Sequence, residues 1–337
     1  MDEIIVNGYV YPSVQPEVLE AWLPNLSLIA TFSYGMTPEG YLIPLNDEEL
    51  IEAADNAGVG SMMVLTPMNE QGQFSEQLVS DVVENPEAVE RLLQEILYEL
   101  RRKNLFGVDF DFEYVPAQNR DQYTELVSRA TEMFSPEGFL VTVALAPKTS
   151  AGQQGLLYQG HDYAGMGKAA NFVLLMTYEW GYTYGPPMAV APINKVRQVI
   201  EYGVTEIPPE KILMGIPNYG YDWTLPFVPK ESMAEKITNE EAVRRAEEFG
   251  AEIQFDEEAQ SPHFVYWKEA VTTNEDGTEE TVYQQHEVWF EDARSYKAKM
   301  DVVREYGLAG ISIWNIMSYD PNLANAIKRA FSVTKLF

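Results

Sequence analysis

Short β-branched runs that alternate with helix-patterned segments constrain this chain more than any other feature. Eight runs read as strands: 4–11 (IIVNGYVY), 27–33 (SLIATFS), 61–66 (SMMVLT), 107–114 (GVDFDFEY), 139–146 (FLVTVALA), 172–178 (FVLLMTY), 212–217 (ILMGIP) and 310–314 (GISIW). Between them, 47–57, 75–103, 119–133, 192–203 and 293–306 carry the apolar spacing of three and four that marks helices. Strands separated by helices pair in parallel, because only a crossover can return the chain to the same edge of the strand. Eight such units predict an α/β fold, a closed (β/α)8 TIM barrel, with an open doubly wound sheet as the competitor.

The chain has 337 residues, enough for one barrel with a sizeable insertion. The insertion is expected between strands seven and eight, where the spacing between strands widens. Within 218–292, the run 239–249 reads as a helix, and 262–272 and 281–290 read as strands around the turn NEDG. A barrel from 1–217 and 293–337 with a small α+β lobe from 218–292 is the predicted organisation. Phe255, Phe264, Tyr266, Trp267, Val288 and Trp289 are the expected miniature core of that lobe, which should flank the cleft above the C-terminal ends of the strands.

The run GVDFDFEYV (107–115) carries the chemistry. Strand alternation puts Asp109, Asp111 and Glu113 on one face and Val108, Phe110, Phe112 and Tyr114 on the other. With the apolar set under the helices, the acids point into the barrel. Neighbouring carboxyls cannot all ionise freely there, so at least one is expected to hold a proton near neutral pH. Glu113 stands at the C-terminal end of its strand, where barrel active sites sit. A solvated edge strand or an acidic Mg²⁺ or Ca²⁺ site competes with this reading.

Composition removes other classes. The 52 acidic and 23 basic residues give a net charge of −29, which opposes nucleic-acid and anionic-membrane partners. There is no cysteine, hence no thiol chemistry or disulfide. His161, His263 and His286 show no metal-ligand spacing and are expected to be ordinary surface or loop histidines; no metal or cofactor is expected. The segment MDEIIVNGYVYPSV shows no basic head before an apolar run, so no secretory signal is expected there.

The stretch GVDFDFE resembles the DxxDxDxE signature of glycoside hydrolase family 18, the chitinase-like barrels, with Phe106 in place of the first Asp and SMMVLTPM where chitinases carry SxGG. MTYEW (176–180), MGIPNYGYDW (214–223) and ISIWN (311–315) fall on strands six to eight as that family would have them. APKTS (146–150), YEWGYTYGPPMAVAP (178–192) and GIPNYGYDWTLPF (215–227) are similar to its bacterial spore-cortex-lytic branch. The resemblance implies a hydrolase of N-acetylglucosamine-containing polysaccharide, either wall or spore-cortex peptidoglycan, with chitin as the alternative. A lectin-like or coat protein with a weakened site is the alternative from another class. Extracellular, wall or spore association is implied, with synthesis in the mother-cell cytoplasm as an option. By the same resemblance Glu113 is the proton donor, Asp111 and Asp109 support it, and Tyr178 bonds the acetamido group. Trp314 is the floor under the sugar, and Tyr9, Met176, Glu179, Asn218 and Tyr221 are further pocket candidates. Trp180, Tyr182, Tyr184 and Trp223 either line a glycan groove or pack the insertion.

Overall fold

A computed structural model describes residues 2–336. The strands in chain order are β1 Glu3–Val10, β2 Leu28–Met36, β3 Leu42–Ile43, β4 Gly60–Leu65, β5 Gly107–Phe110, β6 Leu140–Leu145, β7 Phe172–Leu175, β8 Ile212–Pro217, β9 Gly220–Thr224, β10 Glu235–Ile237, β11 Gln254–Asp256, β12 Ser261–Thr273, β13 Glu279–Trp289, β14 Gly310–Trp314 and β15 Ser332–Val333. The helices are α1 Pro16–Trp22, α2 Glu48–Asn56, α3 Glu76–Val83, α4 Pro86–Arg102, α5 Arg120–Phe134, α6 Tyr163–Ala169, α7 Ile193–Glu206, α8 Asn239–Glu248, α9 Ala293–Glu305 and α10 Pro321–Ala330.

Eight parallel strands run in the order β1-β14-β8-β7-β6-β5-β4-β2, and β2 pairs back onto β1 to close the barrel. Each of the eight expected strands lies on one barrel strand, so closure, not an open sheet, satisfies every backbone edge. Inside, Tyr9, Leu28, Ala30, Met62, Val64, Ala144, Leu174 and Leu213 pack together. Outside, Val108, Phe110 and Phe112 join the core shared with the helices. At Gly107 β5 passes close against β6: a Cβ there would meet the Leu140 carbonyl oxygen at 2.0 Å.

The helix expected over 75–103 is two helices. Asn85 caps α4 by accepting from the Glu87 and Ala88 amides, and Pro86 follows at its first turn. Proline cannot donate to the preceding turn and disfavours helical geometry at the residue before it, so α3 stops at Val83. Short α1 and α6, of seven residues each, were not anticipated by periodicity, because two turns barely display a 3.6-residue pattern.

Between β8 and β14 the chain forms a five-stranded antiparallel sheet in the order β10-β9-β13-β12-β11. One face packs Phe264, Tyr266, Val288 and Ile237 against Ala242 and Ala246 of α8. Trp267 was expected in that core and is instead exposed. It is one residue out of phase with Phe264 and Tyr266, so alternation places it on the opposite face, together with half-buried Trp289. Phe255 lies half-buried under the Arg294 guanidinium.

Candidate active site

β5 ends at Phe110, four residues before the expected end of the strand. Its acids nevertheless climb from the barrel interior to the cleft. Asp109 is buried and accepts hydrogen bonds from Tyr9 Oη at 2.6 Å and Thr142 Oγ1 at 2.7 Å. Burial raises its pKa to about 6, against the lowering effect of those two donors. Asp111 is also buried, and its Oδ1 has no partner. Burial pushes its pKa well up, and the charges of Glu113 and Asp109 push it further. Glu113 reaches the open cleft, where surrounding protein and then the charge of Glu179 raise its pKa. Its side chain touches water in the cleft and is otherwise walled in by protein.

Tyr114 breaks the alternation. It was expected under the helices, but adopts a φ of +55° and turns into the cleft wall, exposed. A left-handed residue reverses the side-chain direction that continued strand geometry would give. Phe112, one step earlier, keeps its expected place and stacks on Tyr123 at 5.0 Å.

His161 corrects the expectation for the histidines most clearly. It is fully buried: the Ala146 amide donates to Nδ1 at 2.9 Å, which leaves the proton on Nε2 to donate to the Phe112 carbonyl at 2.7 Å. The imidazole thus clamps the end of β6 to the peptide between Asp111 and Glu113. Burial pushes its pKa down to about 4. His286 is buried as well, with Nδ1 2.8 Å from Asp222 Oδ1, whereas His263 stacks on Trp289 at 4.3 Å.

The acids open into a cleft of about 880 Å³. Of the expected residues, Tyr9, Asp111, Glu113, Met176, Tyr178, Glu179 and Trp314 line it. Trp314 packs against Tyr9 at 5.2 Å and edge-on to Phe32 at 5.1 Å. The Tyr178 hydroxyl is held protonated by burial and by the charges of Asp111 and Glu113. Glu179, at a φ of +67°, accepts from Tyr219 Oη at 2.5 Å and Tyr221 Oη at 2.8 Å.

Two expected pocket residues are not on the cleft surface. Asn218 is buried and its amide donates to the Asn315 and Ser318 carbonyls, both at 2.9 Å, which braces the loop after β14. Tyr221 is buried behind Glu179 and reaches the site only through its hydroxyl bond. Conversely Tyr11, Phe32, Phe74 and Lys236 line the cleft without having been expected there. Tyr11 follows Tyr9 by two residues, just past the end of β1 and within the run 4–11 that reads as a strand, so alternation could have found it. Phe74 sits on a loop and Lys236 on a three-residue strand, neither of which leaves a local pattern.

Comparisons with known proteins agree with this architecture. Residues 56–320 match the model described as Glycosyl hydrolases family 18. The chain is 40% identical to the Cortical fragment-lytic enzyme of Bacillus subtilis (strain 168), over 98% of this chain and 76% of that protein. The crystal structure of the Bacillus cereus spore cortex-lytic enzyme SleL superposes with a TM-score of 0.90 at 32% identity, covering 99% of this chain and 76% of that one. The Bacillus megaterium QM B1551 spore cortex-lytic enzyme SleL superposes at 0.89 with 35% identity, covering 100% and 76%. A closed barrel with carboxylates rising from the end of one strand into the cleft, matched over this much of the chain, makes the protein a glycoside hydrolase that belongs to glycosyl hydrolase family 18.

Proposed function

We propose that this glycosidase cleaves N-acetylglucosaminyl bonds of spore-cortex or wall peptidoglycan by substrate-assisted, retaining catalysis, with Glu113 as acid and base. The observation that carries the reading is the unpartnered, buried Oδ1 of Asp111 between a fully bonded Asp109 and a cleft-facing Glu113. A buried carboxyl oxygen without a partner is costly, and a substrate N–H relieves that cost when it binds. Glu113, its pKa raised, donates its proton to the glycosidic oxygen as the C1–O bond breaks. The acetamido carbonyl oxygen of the substrate attacks C1 and forms an oxazolinium, the family route in which the substrate supplies the nucleophile. Asp111 holds the acetamido N–H and offsets the positive charge, and Tyr178 donates to the acetamido oxygen. Glu113 then takes a proton from water as it attacks C1 on the original face, which retains the anomeric configuration.

In this reading Trp314, one of the residues lining the cleft, serves as the floor under the sugar, because an aromatic face suits the C–H face of a sugar ring. Residues 218–292 form, in this reading, a lobe that makes one wall of the cleft. Its separate small core supports this, as does Lys236, the one cation among the described cleft-lining residues. Substrate choice is carried over from the Bacillus relatives, whose names describe lysis of cortical fragments and spore cortex; spore association follows from the same source. Digestion of purified cortex peptidoglycan beside chitin oligosaccharides, with mass spectrometry of the new reducing ends, tests the reading. N-acetylglucosamine ends from peptidoglycan, lost in Glu113→Gln while that variant still binds the polymer, are expected. Full turnover by Glu113→Gln, or action on chitin alone, overturns it.

A further inference from the structure

The outward face of the five-stranded sheet is unusual for so acidic a protein. Strand register puts Trp267 and Gln285 opposite each other, then Glu269 and Tyr283, then Val271 and Thr281, all on the face away from α8. Trp267 is 56% exposed and Tyr283 67% exposed. The Tyr283 hydroxyl donates to Glu269 at 2.7 Å, and both aromatic side chains stay more than half open to solvent on this two-stranded arm.

The face is continuous with the cleft. Glu179 lines the cleft three residues before Tyr182, and the Thr183 carbonyl accepts at 2.7 Å from the Ala234 amide, two residues before the cleft-lining Lys236. The Tyr182 ring lies against Gly185, close enough that a Cβ there would meet it at 2.6 Å. The Gly185 carbonyl accepts from Trp223 Nε1 at 2.8 Å, and Trp223 pairs across the sheet with Glu287, which pairs with Val265. Tyr182 and Tyr184 are 41% and 58% exposed, with rings 6.4 Å apart. Two strand spacings and two residues further along lies Trp267, roughly 12 Å from Trp223 in the sheet plane. Aromatic side chains thus run from the cleft mouth over the 182–185 loop and onto the β12–β13 arm.

We propose that Tyr182, Tyr184, Trp267 and Tyr283 form a second glycan-binding surface, which holds the polysaccharide chain beyond the cleft that cleaves it. The occupant rests on the reading of the cleft as a glycan site and is argued from continuity with it. Spaced rings interleaved with Gln285, Thr281 and Glu287 offer flat apolar faces beside hydrogen-bonding groups, the pairing that a sugar ring with its C–H faces and rim hydroxyls requires. A second copy of this chain is disfavoured by a net charge of −29 on each molecule.

The test is co-sedimentation with insoluble, purified cortex peptidoglycan, alongside hydrolysis of the insoluble polymer and of a short soluble oligosaccharide made from it. Trp267→Ala/Tyr283→Ala removes two solvent-facing rings and the Tyr283 bond to Glu269, and circular dichroism checks that the fold is kept. Binding to the insoluble polymer and its hydrolysis are expected to fall about tenfold, from the loss of two ring contacts, with the short oligosaccharide cleaved within about twofold of wild type. Equal sedimentation of wild type and variant overturns the proposal, as does a wild type that does not sediment. A wild-type dimer that the double variant converts to monomer also overturns it, because the face would then be a contact between copies. Wild type that sediments through this face without hydrolysing anything leaves the surface standing and removes the enzymatic reading instead.

Discussion

His161 gives the sharpest test of how the site is held. Folding buries it neutral, with a pKa of about 4 in place of the ordinary 6.5. The unfolded chain takes up a proton below 6.5 and the folded chain does not, so stability from this group is complete above pH 6.5 and is lost as pH falls toward 4. That interval corresponds to about 3 kcal/mol. Asp109 works in the opposite sense: its carboxyl, raised from 3.8 to about 6, makes the folded chain the better proton acceptor, so stability rises by about 3 kcal/mol as pH falls from 6 to 3.8. Wild type alone therefore shows the two effects against each other. His161→Gln separates them, since it keeps Asp109 and removes the imidazole. At pH 7 the variant should be less stable by about 1–3 kcal/mol, from imperfectly replaced bonds to the Ala146 amide and the Phe112 carbonyl. That gap should shrink by about 3 kcal/mol, and can invert, between pH 7 and pH 4. Urea unfolding followed by tryptophan fluorescence at the two pH values measures it. A gap that stays constant would show that the folded chain protonates His161 freely, and the caged, neutral imidazole would be refuted. The same variant should lower kcat more than it alters KM, by up to about 100-fold, because the Phe112 peptide it holds lies between Asp111 and Glu113.

Asp111→Asn should cost far more of kcat than Asp109→Asn and should shift the pH–rate profile, since the charge of Asp111 helps to set the macroscopic titration of the group; an unchanged profile would mean that the acids titrate independently. Activity should fall as pH rises through the elevated pKa of Glu113, with a shift to lower pH in Glu179→Gln because the Glu179 charge is the second cause of that elevation; a pH–rate series on both proteins checks this. Early NMR of the products should show the retained anomer, and a thiazoline mimic of the oxazolinium should inhibit; an inverted first product removes the acetamido nucleophile. Gly107→Ala should destabilise the barrel by several kcal/mol, because its Cβ meets the Leu140 carbonyl oxygen inside the β5–β6 ladder, and a melting curve close to wild type would contradict that close approach.

The parts of this protein that periodicity encodes were legible before any coordinates. Eight strand runs alternating with helices specify the barrel, since pattern and length leave few other ways to bury so many apolar strands. Two-residue alternation in GVDFDFEYV placed Asp109 and Asp111 inward and Val108, Phe110 and Phe112 outward. The family resemblance named Glu113, Tyr178 and Trp314, which do converge on one cleft. Whatever depends on where distant segments meet was not legible. The strand stops at Phe110 and Tyr114 turns left-handed into the cleft, because neighbouring loops, not local propensity, decide where a barrel strand leaves its ladder. His161 reads as one loop histidine among three until β6 and the carboxylate segment are brought to either side of its ring. Lys236 and Phe74 reach the cleft from segments with no periodic signal. Trp267 belongs by composition to a core, yet stands in solvent, because only the pairing register determines which face of β12 meets α8. Local sequence sets which faces a segment has; closure of the barrel and the register of its insertion decide what each face meets.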